Sequence, residues 1–120
     1  MQHARVVVAH RAPDRPPVRV APGDAVLLGK RDTDWPEFVW ATIAEGHEGW
    51  MPVQLFDSEH GPAKALGEYD TRELDAQADE ILKLHYELAQ WWWAENALGH
   101  QGWIPARALE ILDDDDGEDA

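Results

Sequence analysis

The chain has 120 residues, no cysteine and a formal net charge of −14 at pH 7. This length fits one average domain or two very small ones, the lack of cysteine excludes disulfides and thiolate metal sites, and the negative charge argues against nucleic-acid binding. The apolar run at residues 6–9 is too short for a secretory core or a membrane span, so we expect a cytoplasmic protein without a membrane partner.

The first half of the chain predicts short strands separated by turns. Apolar residues alternate with mostly polar neighbours at Val18, Val20, Val26 and Leu28, which is the period of a half-buried strand. Glycines and prolines interrupt the whole stretch and exclude a long helix.

An internal repeat organises the chain. Residues 40–52 and 93–105 align without a gap, and eight of thirteen positions are identical in WATIAEGHEGWMP and WAENALGHQGWIP. The overlay extends leftward once three extra residues are allowed in the first copy between Lys30 and Pro36. The repeat predicts two copies of one fold, joined at residues 58–62, where Gly61 and Pro62 stop regular structure.

Residues 71–95 can be interpreted in two ways. The stretch contains no glycine or proline, and its apolar residues fall near helical intervals. Its counterpart at residues 15–42 is rich in proline and glycine, which a helix of that length could not accommodate. Because homologous halves share a fold, we favour strands over a helix.

Several segments in the second half resemble the Src-homology-3 family, especially the variant form common in bacteria. They are Ala65-Leu66-Gly67-Glu68-Tyr69, the acidic residues Asp70, Glu73 and Asp75, the strand Trp91-Trp92-Trp93-Ala94, and Gly102-Trp103-Ile104-Pro105. The resemblance implies an all-β fold of two tandem small Src-homology-3-like β-barrels. We expect a first barrel at 1–57, a linker at 58–62, a second barrel at 63–112 and a disordered acidic tail at 113–120.

The resemblance also implies a function in recognition. Domains of this family bind extended, often proline-rich peptides in an aromatic groove. The residues that match such a groove, or lie beside it, are Tyr69, Asp70, Glu73, Trp91, Trp93 and Pro105 in the second half and Phe38 and Pro52 in the first. The family's groove tyrosine is replaced by Leu55 in one copy and Ala108 in the other, so the ligand is either proline-rich or another, basic, polypeptide surface.

Two alternatives stay open at this stage. The tryptophans could instead serve a structural or assembly role, packing between barrels or in a homodimer. The arginine- and proline-containing loop at residues 11–19 is either a rigid connection or itself a ligand of the acidic second half. His47 and His100 occupy equivalent turns, but without clustered partners they predict no metal site. No activated nucleophile or phosphate-binding loop is present, so we expect neither catalysis nor a cofactor.

Overall fold

The computed structural model describes residues 2–14 and 16–112, so the predicted acidic tail lies outside the described residues. The described chain forms strands and short 3-10 turns. The strands are β1 (Gln2–Val6), β2 (Arg19–Val20), β3 (Ala25–Arg31), β4 (Phe38–Thr42), β5 (Glu48–Pro52), β6 (Gly61–Lys64), β7 (Tyr69–Asp70), β8 (Ile81–Leu88), β9 (Trp91–Glu95), β10 (Gln101–Pro105) and β11 (Leu109–Leu112). The 3-10 turns are Ala44–Gly46, Val53–Leu55 and Ala106–Ala108. No helix among these residues is long and apolar enough to cross a membrane.

The all-β class is confirmed, and so is the strand interpretation of residues 71–95. In β8, Leu82 and Leu84 are buried while Ile81, Lys83 and His85 are exposed. This alternation matches a strand with one face on the core, and pairing with β1 and β9 overrides the local preference for helix. The strand pairings give three antiparallel sheets, and none of them closes into a barrel among the described residues.

The chain divides into two compact units that do not follow the predicted domain boundaries. One unit is Pro16–Thr71, and the other combines Met1–Arg15 with Arg72–Ala120. The chain therefore passes between units after Arg15 and after Thr71, whereas the sequence predicts a single join at 58–62. We refer to them as the inner unit (Pro16–Thr71) and the outer unit (the two terminal segments).

The inner unit contains a four-stranded sheet in the order β5-β4-β3-β6 and the small β2-β7 sheet. Its core includes Val26, Leu28, Val39 and Met51, all at alternating inward positions of their strands. The residues that follow the predicted linker turn back onto this unit. Asp57 donates its backbone N–H to the carbonyl of Lys64 and accepts the Lys64 N–H at 2.9 Å through its side chain.

The outer unit contains a five-stranded sheet in the order β10-β9-β8-β1-β11. The strand β1 comes from the chain's N-terminal segment, and its two inward residues, Ala4 and Val6, have 0% exposure. Leu82, Ala94 and Ile104 complete the centre of this core. An interior strand of this sheet thus lies nearly eighty residues before its neighbour β8.

The strands β1 and β6 hold corresponding places in the two units. Val6 donates its backbone N–H to Glu80 and accepts the N–H of Asp79, while Ala65 makes the same two bonds with Asp24 and Gly23. Counting back along the chain, Ala4 corresponds to Ala63, and both are buried. Each unit is therefore completed by the opening strand of the other sequence copy, an arrangement that we call the strand exchange.

Arg5 fixes β1 in the outer unit. Its guanidinium donates to Glu110 on β11 at 2.7 and 3.1 Å and to Asp79 at 2.8 Å. The hydrogen bonds with Glu110 and then Asp79 raise the pKa of Arg5 above its ordinary value. Lys64, the residue corresponding to Arg5 in β6, lacks the planar fork that makes two-pronged bonds to a carboxylate.

The β8–β9 hairpin turn carries backbone strain. Its two central residues, Ala89 and Gln90, have φ values of 53° and 71°. Positive φ at both positions is the signature of a type I′ turn, which strongly prefers Asn-Gly, and a non-glycine residue there costs about 1–2 kcal/mol.

Replacing Ala89-Gln90 by Asn-Gly is expected to stabilise the protein by about 1–2 kcal/mol, because both new residues tolerate the left-handed conformation. Urea unfolding followed by tryptophan fluorescence measures the change. Gln90→Ala keeps a Cβ in the same conformation and is expected to leave the free energy of unfolding within about 0.5 kcal/mol of the original. Equal effects of the two variants would contradict the strain argument.

Candidate functional site

The strand exchange divides the eight predicted site residues between the two units. Tyr69, Asp70, Phe38 and Pro52 belong to the inner unit, and Glu73, Trp91, Trp93 and Pro105 belong to the outer unit. The sequence predicts Tyr69 and Asp70 in one domain with Trp91. In the structure, Tyr69 and Asp70 belong to the inner unit and Trp91 belongs to the outer unit. The sequence could not reveal this, because it places Tyr69 four residues before Glu73.

The outer unit joins two of its predicted residues, Glu73 and Trp91, through His10. The His10 Nε2 lies 2.8 Å from a carboxylate oxygen of Glu73, and the imidazole meets the Trp91 ring edge-on with centroids 5.6 Å apart. Trp91 and Pro105 are register partners on β9 and β10. We call His10, Glu73, Trp91 and Pro105 the Trp91 face. Within it Pro105 is buried, whereas the other three side chains are half-buried.

His10 is the residue of this face that the sequence analysis missed. It bridges Ala76 in the outer unit, just as Tyr69 pairs with Val20 in the inner unit, and Ala76 and Val20 are equivalent in the repeat. His10 thus holds in the outer unit the place that Tyr69 holds in the inner one. Aligning the residues that follow β1 with those that follow β6 would have suggested this only if the strand exchange were known.

The predicted residue Trp93 belongs to an aromatic cluster beside the Trp91 face. Its ring meets that of Trp103 edge-on at 5.3 Å, and Tyr86 meets Trp103 in the same manner at 5.4 Å. With Ile104 pointing inward, alternation predicts that Trp103 leans outward or lies at a barrel rim, yet it is only 3% exposed. The backbone of Trp103 makes two hydrogen bonds with the segment that carries Glu73. Its N–H donates to the carbonyl of Arg72, and its carbonyl accepts the N–H of Leu74.

In the inner unit the predicted residues form two separate pairs. Phe38 and Pro52 are register partners, and both are buried. Asp70 is the partner of Arg19, whose guanidinium donates to the Asp70 carboxylate at 3.2 Å, and Tyr69 packs against the core. The basic residue beside Asp70 partly neutralises the acidic character that the sequence assigns to this position.

No group of three or more potential ligands in the described residues could hold a metal ion. His47 lies in an exposed turn 3.7 Å from Glu45, and His100 is exposed in the corresponding turn of the outer unit. The side chains of the Trp91 face are an indole, a carboxylate, an imidazole and a proline ring.

Residues 64–112 match the family model described as variant SH3 domain, which places such a domain in this region and indicates an interaction module in general. The matched region includes residues of both units, since residues 64–71 lie in the inner unit and the rest lie in the outer unit. No curated protein and no solved structure matches the chain.

Proposed function

We propose that the chain is a non-catalytic interaction protein of two SH3-like units, and that it binds an extended polypeptide across the Trp91 face. The observation that carries this proposal is the His10–Glu73–Trp91 set, of which Glu73 and Trp91 lie in the region matched by the variant SH3 model. Glu73 would pair with a basic residue of the ligand, and the indole of Trp91 would stack against a proline or an aliphatic side chain.

The exposure of Tyr86, which is 52% accessible beside the buried Trp103, favours a second candidate, in which aromatic surfaces serve assembly. The predicted groove residues Phe38, Pro52 and Pro105 are buried within the chain and leave little surface for a peptide. In this case the partner is a second copy of the chain, and dilution would dissociate it.

Replacing Trp91 by alanine is expected to abolish binding of a basic, proline-containing dodecapeptide, because the largest apolar contact of the face is removed. Glu73→Gln is expected to weaken the same peptide about tenfold by removing a charge-assisted hydrogen bond. Isothermal titration calorimetry with the full chain measures both, and circular dichroism verifies folding.

Leu98→Ala is the matched control, since Leu98 is 81% exposed on a turn of the same unit. It is expected to bind like the original protein. If no peptide of basic, neutral or proline-containing composition binds, while analytical ultracentrifugation shows a concentration-dependent dimer, the assembly candidate replaces the groove.

A further inference from the structure

Both units carry a cross-strand tryptophan pair of the same geometry. In the inner unit Trp40 on β4 faces Trp50 on β5, with ring centroids 5.0 Å apart and an interplanar angle of 71°. The equivalent pair, Trp93 and Trp103, has centroids 5.3 Å apart at the same angle. The repeat thus preserves an edge-to-face arrangement outside the residues assigned to peptide binding in the inner unit.

The two pairs differ in the charge of the residue that holds them. The indole N–H of Trp40 donates to a carboxylate oxygen of Glu48 at 2.9 Å, and that of Trp93 donates to the side-chain oxygen of Gln101 at the same distance. A neutral amide therefore suffices for the structural task. The negative charge of Glu48 is therefore not required to hold the indole N–H of the tryptophan pair.

The pairs also differ in accessibility. Trp103 is 3% exposed beneath Tyr86 and the backbone at residues 72–74, whereas Trp50 is only half-buried. Glu48 is exposed, and within the described part of the chain no cation pairs with it. Lys30 stands at the sequence position of the inner unit that corresponds to Tyr86. Of the two pairs, the inner one has its indole N–H held by an exposed carboxylate, whereas the outer one has it held by Gln101, whose amide in turn donates to Glu95 at 3.2 Å.

This combination suits one kind of side chain. A guanidinium is planar, stacks on an indole face and donates two hydrogen bonds in a fork, and a carboxylate has lone pairs for several donors even after accepting one N–H. The negative charge of the whole chain would also attract a cation. We propose that Trp50 and Glu48 bind an arginine side chain of a polypeptide partner, independently of the Trp91 face.

The test uses the full chain and the peptide acetyl-Gly-Arg-Gly-amide, observed through the indole N–H signals in NMR spectra. Titration is expected to move the Trp40 and Trp50 signals and to saturate at roughly 1–10 mM peptide, as a single exposed side-chain contact implies. The same peptide with citrulline, which has the shape without the charge, is expected to leave them unmoved. Equal shifts with citrulline, or shifts of Trp93 and Trp103 instead, would overturn the proposal.

Glu48→Gln separates the charge from the fold, because Gln101 shows that glutamine can hold the indole N–H in the other copy. It is expected to weaken the arginine peptide at least fivefold. Glu45→Gln removes the same charge three residues away, where Glu45 is 84% exposed, and is expected to change affinity less than twofold. If both variants weaken binding equally, only the net charge acts and the site does not exist.

Discussion

Removing residues 2–14 is expected to unfold the outer unit, because the deletion withdraws an interior strand from its sheet. β1 lies between β8 and β11, and Ala4 and Val6 are fully buried in the core. Losing this strand leaves the facing edges of β8 and β11 unpaired. We expect the lost stabilisation to exceed roughly 5 kcal/mol, which is the free energy of unfolding of a small domain. Fluorescence of the four tryptophans of this unit, compared with near-ultraviolet circular dichroism, measures the loss.

Two controls separate this effect from general damage. Val6→Ala copies the corresponding residue Ala65 and is expected to cost only about 2 kcal/mol, the transfer energy of two methylene equivalents with a small cavity. A synthetic peptide of residues 1–14 added to the truncated chain is expected to restore the native signal. A truncated chain that unfolds at the original urea midpoint would contradict the placement of β1.

Disulfide cross-linking tests the strand exchange directly, because the chain has no cysteine of its own that could compete with an introduced pair. His3 and Leu112 are register partners, so a His3→Cys/Leu112→Cys variant is expected to form a disulfide within one molecule. Pro62 takes the place of His3 in the inner unit, and Pro62→Cys/Leu112→Cys is expected to stay reduced. The reverse result would mean that each sequence copy completes its own unit.

The second large effect is expected from Gly102→Ala. A Cβ on Gly102 would lie 2.8 Å from the carbonyl carbon of Glu73 and 2.9 Å from the backbone nitrogen of Leu74, so the two backbones must separate. Separation breaks the hydrogen bonds that join Trp103 to Arg72 and Leu74, each 2.9 Å long. We expect a loss of about 3 kcal/mol, combining overpacking with two weakened hydrogen bonds.

Gly49 is the equivalent glycine of the other copy and supplies the matched control. Its added Cβ would meet the methyl group of Thr71 at 3.2 Å, and a side chain can shift where backbone cannot. Gly49→Ala is expected to cost about 1 kcal/mol or less. Urea unfolding of both variants gives the comparison, and a red shift of tryptophan emission should accompany Gly102→Ala alone as Trp103 becomes exposed. Similar losses for both glycines would refute the close backbone approach at β10.

Part of the site was predictable from single residues. Trp91, Glu73 and Pro105 were proposed from motifs. The structure links Glu73 and Trp91 through His10 and makes Pro105 the register partner of Trp91. The burial of Trp103 was not predictable, because alternation along β10 assigns its direction but not what covers it. That cover comes from residues 72–74, which meet β10 through one parallel bridge between Glu73 and Trp103.

The sequence alone determined the all-β class and excluded a helix at residues 71–95, because the repeat makes them share the structure of a proline-containing counterpart that cannot be helical. Only the tertiary structure decided which opening strand completes which unit. β1 and β6 present similar small inward residues, Ala4 and Ala63, so local pattern cannot distinguish them. The choice depends on contacts between residues far apart in the chain, such as Arg5 with Glu110, and such contacts leave no periodic signal in a sequence.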